Sequence, residues 1–117
     1  MKYEYNGPTV YDPFKDKIDP IRDTFSAYDV LVLCCEQMGT NTTDALSGSK
    51  KRERQMARAM TMYIMCAKFG ARFCEFELPF GLTNATVSHN VRSIEREIEL
   101  YDVTRLKVQS VLDKLTK

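Results

Sequence analysis

FCEFELPFGLTNATVSHNVRSIER, from Phe73 to Arg96, is the stretch of sequence that decides the fold. Its second half, continued as far as Ile98, repeats aliphatic residues at spacings of four, three and four, which is the period of one face of an α-helix. These aliphatic residues are Val87, Val91, Ile94 and Ile98. Its first half carries phenylalanines at spacings of three and four, which a short first helix would bury together. The stretch therefore predicts two helices joined by a tight turn at Pro79–Leu82.

The predicted second helix extends from about Thr83 to Tyr101. Thr83 is suited to cap it, because its hydroxyl can accept a hydrogen bond from a free backbone N–H of the first turn. Gly81 gives the preceding turn a permissive backbone. The face opposite the aliphatic stripe presents Ala85, Ser88, His89, Arg92 and Arg96. This layout is typical of a helix-turn-helix, whose second helix enters the major groove of duplex DNA.

The first turns of such a helix contact base edges. Asn84 is suited to a bidentate contact with adenine, and Ala85 to an apolar contact with a thymine methyl group. Thr86, Arg92 and Arg96 are expected to bind phosphates. An amphipathic surface helix without any DNA-binding role would have the same polar face, so the pattern alone leaves both interpretations open. The expected base-contacting residues are Thr83, Asn84, Ala85, Ser88 and His89.

A basic run, SKKRER at Ser49–Arg54, precedes a long helical pattern. Residues 1–48 have four Lys/Arg against eight Asp/Glu, a net charge of −4, whereas residues 49–72 have seven against one, +6. Residues 73–117 have six against seven, so the positive charge is local although the whole chain carries only +1. Such a patch attracts DNA through counterion release; a solvated helix start is the alternative, although Lys and Arg are mildly unfavourable there. The expected phosphate-binding residues of this run are Lys50, Lys51, Arg52 and Arg54.

Two segments carry a family resemblance: RERQMARAMTMYIM at Arg52–Met65, and Thr86–Ile94. They resemble the C-terminal DNA-binding domain of the bacterial replication initiator DnaA. In that family a long helix opens with Arg-x-Arg-Gln-Met/Ile-Ala, and the signature ends in Thr-Val-x-His-Ala-x-x-x-Ile, where this chain has Asn90 in place of Ala. The resemblance covers roughly residues 26–115. It implies an all-α, Trp-repressor-like helix-turn-helix that binds double-stranded DNA in replication or transcription control.

The turn departs from the family pattern. The family has Gly-Gly-Arg-Asp-His-Thr-Thr, whereas this chain has Gly81-Leu82-Thr83-Asn84-Ala85-Thr86, which is one residue shorter. We therefore expect a shared scaffold and a different DNA target. The altered residues also fit an alternative, a protein-interaction module that keeps the fold but has lost specific DNA binding. The acidic N-terminal part would then bind a partner protein or a second copy of the chain.

No pattern of catalytic or cofactor-binding residues occurs in the sequence. A Gly-x-x-x-x-Gly-Lys-Ser/Thr phosphate loop is missing, so we expect a stand-alone module without the family's ATPase domain and without nucleotide binding. His89 has no orienting carboxylate implied by spacing, so we expect no enzymatic activity. The cysteines lack C-x-x-C spacing, which favours buried free thiols over disulfides or a metal site. The cysteines are Cys34, Cys35, Cys66 and Cys74.

The organisation of the chain predicts an all-α protein of five to six helices. Residues 1–25, with three prolines, are expected to form an extended arm that docks through its aromatic residues, and residues 26–117 the DNA-binding domain. Outside the helix-turn-helix, the expected helices are Ala27–Met38 with Ser26 as cap and Gly39 as stop, a short segment near Thr43–Leu46, Arg54–Phe69 ending at Gly70, and Val103–Leu115. The expected buried stripes are Met56, Met60, Tyr63, Ile64 and Ala67 in the third helix, and Leu106, Val108, Val111, Leu112 and Leu115 in the last.

The longest apolar run, Val30–Cys35, is too short to cross a bilayer. The polar start of the sequence does not resemble a signal peptide. We therefore expect a cytoplasmic protein with no membrane partner.

Overall fold

The structure, a computed structural model, describes residues 9–14, 26–47, 51–73 and 82–115. Over this part of the chain it is all-α, with five helices and no strand, which confirms the predicted fold class. The helices are α1 (Ala27–Met38), α2 (Thr42–Leu46), α3 (Arg52–Phe69), α4 (Asn84–Leu100) and α5 (Asp102–Leu115). The predicted first helix of the helix-turn-helix falls on residues 73–80, and nearly all of it lies outside the described residues.

Helix α1 begins and ends at the residues that the sequence indicates. The Ser26 hydroxyl accepts from the Asp29 N–H at 3.2 Å, and the Asp29 carboxylate accepts from the Ser26 N–H at 3.0 Å. This reciprocal capping box satisfies two backbone donors that the helix cannot satisfy itself. Gly39 ends the helix with φ +71°, a left-handed conformation that favours glycine.

Helix α3 is the centre of the bundle, packing against α1, α2 and α4. It begins at Arg52, two residues earlier than predicted, because Lys51 precedes it with extended backbone and no side-chain cap to mark the start. It ends at Gly70, as predicted. The expected stripe is confirmed for Met56, Met60, Tyr63 and Ile64, which are buried, while Ala67 is partly buried.

Helix α4 buries its predicted stripe completely. The four aliphatic residues Val87, Val91, Ile94 and Ile98 are each exposed by 1% or less. Helix α4 packs on α3 and α5, so this stripe joins the core beneath it.

Helix α5 follows α4 after one extended residue, Tyr101, with φ −129° and ψ 120°. The prediction that Leu106 belongs to the buried stripe is wrong, since its side chain is 58% exposed. Leu106 lies two residues from Val108, and two residues rotate a helix by about 200°, to the opposite face. Thr104 takes the expected place, 6% exposed and four residues before Val108. The other predicted members of the stripe are buried: Val108, Val111, Leu112 and Leu115.

Residues Thr9–Phe14 form a segment without helix or strand, here called the strap, which lies against α3 and α4. Phe14 is 4% exposed and belongs to the core, so this aromatic residue docks onto the domain. Tyr11 is 45% exposed. The expected docking of Tyr3 and Tyr5 concerns residues outside the described ranges.

The cysteines are buried wherever the structure describes them. Cys34, Cys35 and Cys66 are free thiols in the core, as predicted. Burial raises the pKa of Cys34 to about 12, helped by the neighbouring Cys35 and opposed by a hydrogen bond from Thr61. Within the described ranges, no group of three or more His, Cys, Asp or Glu side chains has a metal-binding arrangement, and no helix is long and apolar enough to span a membrane.

Candidate nucleic-acid interface

The amino-terminal end of α4 is built around the cap that the sequence predicts. Thr83 has extended backbone, and its hydroxyl accepts from the N–H of Thr86 at 3.3 Å. The two threonine hydroxyls are themselves 3.1 Å apart and share a hydrogen bond. The helix therefore starts at Asn84, and the residues proposed for base contacts occupy its first turns.

The predicted base-contacting residues lie together on one exposed end of α4. Thr83, Asn84, Ala85 and His89 are exposed, while Ser88 is half-buried beside the aliphatic stripe. Hydroxyl, amide and imidazole groups can each donate or accept, which is what a ligand with mixed donors and acceptors, such as a base-pair edge, requires. No charged side chain interrupts this end between Thr83 and Val91.

The carboxyl-terminal half of α4 presents cations that are already in contact with other groups. The Arg92 Nη1 lies 2.8 Å from the Glu95 carboxylate on the same helix and 2.9 Å from the carbonyl oxygen of Thr9. The other Glu95 oxygen accepts from the backbone N–H of Tyr11 at 2.6 Å. Arg96, in contrast, is exposed and lies two residues after Ile94. Of the two predicted phosphate-binding arginines of α4, only Arg92 contacts the strap.

The basic start of α3 is tied to α4 through one carboxylate. Arg52, with 75% of its side chain exposed, lies 3.5 Å from Glu97 of α4. The hydroxyl of Thr104 in α5 donates to the same Glu97 oxygen at 3.3 Å. The structure therefore brings the exposed Arg52 beside the carboxyl-terminal half of α4, where the sequence could only place it in a separate segment.

Arg54 does not join this group. Its guanidinium lies 3.3 Å from the Asp44 carboxylate of α2, and only 25% of its side chain is exposed. Lys50, the remaining predicted phosphate-binding residue, lies outside the described residues. Arg52, Arg92 and Arg96 are therefore the cations beside the carboxyl-terminal half of α4, and Arg92 is held there by the strap. Lys51 lies instead near Thr40 and Asp44, at the turn between α1 and α2.

Sequence reasoning missed the two carboxylates that organise this surface, Glu95 and Glu97. The pairing of Arg92 with Glu95 had a local signal, since residues three apart on a helix are neighbours. The pairing of Arg52 with Glu97 had none, because 45 residues separate them along the chain. Both carboxylates are mostly covered, with 15% and 19% of their side chains exposed.

Comparison with known proteins gives one coarse result. The sequence matches no protein-family profile among those with which it was compared. It is similar to the chromosomal replication initiator protein DnaA of Pseudothermotoga lettingae, with 29% identity over 83 residues. The similar region covers 71% of this chain but 18% of that protein, so the chain spans a small part of its relative. This similarity supports a DnaA-related domain, and the all-α fold is consistent with one.

Proposed function

We propose that this chain binds double-stranded DNA in a sequence-specific way through the outer face of α4, in the control of replication or transcription. The observation that carries the proposal is the exposed, uncharged and hydrogen-bonding amino-terminal end of α4, on a helix whose carboxyl-terminal half carries exposed arginines. The similarity to a chromosomal replication initiator also supports DNA binding. The protein is proposed to act by binding alone, without catalysis, nucleotide or cofactor.

Base contacts would come from the first turns of α4. The Asn84 amide can accept from the adenine N6 amino group and donate to N7, and the exposed methyl of Ala85 can pack on a thymine methyl group. His89 and Ser88 lie one turn farther, within reach of the next base pair. A good bidentate contact discriminates between bases by about 1–3 kcal/mol.

Phosphate contacts would come from cations that lie away from this end, beside the carboxyl-terminal half of α4 and at the start of α3. Lys51 and Arg52 are exposed at the start of α3, and Arg96 is exposed on α4. Such contacts set orientation and supply affinity that falls with salt concentration, but they do not discriminate between sequences. Arg54 contributes little in this arrangement, because its guanidinium is paired with Asp44.

One observation favours the alternative function, a protein-interaction module. Large apolar side chains are exposed around the junction of α4 and α5, at a density unusual for a solvated surface. They are Leu100, Tyr101, Val103 and Leu106, with exposures of 64%, 57%, 64% and 58%. A partner protein would cover such a surface, whereas DNA would not.

Titration of duplex DNA against point variants tests the proposal. Duplexes selected from a random pool would be bound by the unchanged protein at low salt. Asn84→Ala should then reduce the preference for the selected sequence by about 5- to 150-fold, the range that 1–3 kcal/mol corresponds to. Lys51→Ala should weaken binding to all sequences and reduce the salt slope by about 1.

Lys114→Ala is the matched control for Lys51→Ala. It removes the same charge from α5, where Lys114 pairs with Glu36 of α1 at 3.1 Å. It should leave DNA affinity nearly unchanged. Absence of any binding at low salt would refute the DNA proposal and favour the interaction module. Equal effects of Asn84→Ala and Lys51→Ala on every sequence would remove Asn84 from the base contacts.

A further inference from the structure

The strap is anchored at its Phe14 end by buried groups of α3. The Lys68 ammonium, 5% exposed, lies 2.9 Å from the Asp12 carboxylate and also donates to the carbonyl of Phe14. The hydroxyl of Tyr63 donates to the carbonyl of Tyr11. Separating a buried ammonium from its partner is strongly unfavourable, because the charge would remain without solvent or counter-charge. This end of the strap is therefore fixed to the core.

The Thr9 end of the strap rests on α4 through exposed groups. Two hydrogen bonds link the strap to the helix, from Arg92 to the Thr9 carbonyl at 2.9 Å and from the Tyr11 N–H to Glu95 at 2.6 Å. A third joins Arg92 to Glu95 within the helix at 2.8 Å. Arg92 keeps 48% of its side chain exposed. This end, here called the latch, keeps Thr9, Tyr11 and Arg92 exposed, although Glu95 is mostly covered and Val10 packs partly against the core.

The latch occupies a cation of the proposed DNA-binding surface. Arg92 lies three residues after His89, so the two side chains are neighbours on the outer face of α4. One guanidinium nitrogen is shared between a carbonyl and a carboxylate. If a phosphate bound this nitrogen, Arg92 would lose the hydrogen bonds that it already makes. The phosphate would also meet the negative charge of Glu95 at close range.

We propose that the strap and Glu95 form an autoinhibitory contact, in which duplex DNA and the latch compete for the Arg92 guanidinium. The inference rests on the proposed DNA binding and adds a regulating contact to it. Binding of DNA at Arg92 releases Thr9 and Tyr11 from α4, while the strap stays anchored at Phe14. Glu95 is a positioning residue in this scheme, since it acts on DNA only through Arg92.

The contact is expected to be weak enough that DNA can displace it from Arg92. Exposed ion pairs shift an equilibrium by no more than about fivefold. Backbone hydrogen bonds from the strap hold both partners of the pair and bring the effect to the upper end of that range. DNA at working concentration would therefore open the latch without unfolding any helix.

Affinity measurements on a small set of variants test the competition. Glu95→Gln keeps the shape and the acceptor oxygen but removes the charge, and it should tighten duplex binding about fivefold. Glu99→Gln is the matched control, because it removes the same charge from an exposed position of α4 that does not contact the strap. It should tighten binding by less than about twofold.

The gain should depend on Arg92. In an Arg92→Ala background, Glu95→Gln should no longer tighten binding relative to Arg92→Ala alone. A gain that persists there, or a gain equal to that of Glu99→Gln, would overturn the inference and leave the proposed DNA binding intact. Absence of binding by the unchanged protein and by all variants would instead refute the proposed function, and the autoinhibition with it.

Amide hydrogen exchange gives a readout that does not rely on affinity. The Tyr11 N–H, bonded to Glu95, should exchange faster in Arg92→Ala and when saturating duplex is added. The Phe14 N–H, bonded to the Asp12 carboxylate at 2.9 Å, should keep its protection in both cases. Unchanged protection of Tyr11 with bound duplex would show that the latch stays closed, which contradicts the competition.

Discussion

The two ends of α4 belong to one continuous helix, yet their side chains are in opposite situations. At the amino-terminal end, the cap between Thr83 and Thr86 is the main contact, and Asn84 and His89 face solvent. In the carboxyl-terminal half, Arg92 and Glu95 are bound to the strap, and Glu97 to α3 and α5. Among the described residues, Asn84 and His89 have no side-chain hydrogen bond to give up, whereas Arg92 can contact a ligand only by exchange. A single helix thus carries exposed polar groups at one end and restrained charges toward the other.

The largest expected effect comes from the inner face that both ends share. Ile94→Ala should lower the free energy of unfolding by about 2–5 kcal/mol, because it removes fully buried methyl and methylene groups and leaves a cavity. Chemical denaturation followed by circular dichroism measures this loss. Since Ile94 packs beneath the middle of α4, the two ends should become less protected from hydrogen exchange together.

Arg96→Ala is the control for that change, on the opposite and exposed face of the same helix. It should alter the free energy of unfolding by less than about 0.5 kcal/mol. If the two substitutions had similar effects, the inner face of α4 would not be the element that holds both ends.

Alkaline pH should also lower the stability of the core that supports both ends of α4. The Cys34 thiol has its pKa raised by burial from 9.0 to about 12, so between these values the unfolded chain loses a proton that the folded protein keeps. The stability contributed by the neutral buried thiol is complete below pH 9 and declines above it, by roughly 1 kcal/mol per pH unit. Cys34→Ser should reduce this slope in unfolding measurements from pH 8 to pH 10. A slope equal to that of the unchanged protein would exclude Cys34 as its source.

The smallest expected effect distinguishes the two ends directly. Thr83→Ala removes the hydroxyl that accepts from the Thr86 N–H, and it should lower the free energy of unfolding by about 1 kcal/mol. Amide exchange should increase in the first turn of α4 but not near Glu97. Thr83→Ser keeps the hydroxyl and should restore most of the stability. Equal loss of protection at both ends would mean that the ends are not independent.

Local patterns in the sequence predicted local structure well. The cap at Thr83 and the buried stripe of α4 need only neighbouring residues and the helical period, and both were confirmed. The prediction for Leu106 was wrong because it considered the hydrophobicity of the residue and not its position around the helix. The residues of the strap that hold Arg92 lie 83 positions away along the chain, and no periodic signal connects them. The exposed end of α4 was therefore predictable, while the restraint on its other half was not.

The single connecting residue Tyr101 has a consequence for length variation. Because α4 and α5 are joined without slack, the direction of one helix sets the direction of the other. An inserted residue would have to change the direction of α5, and the buried Thr104 and Val108 would then leave the core. The turn at Gly39–Asn41, with open space around Gly39, can accept extra length far more easily. We therefore expect an inserted residue to lower stability more at the α4–α5 corner than in this turn.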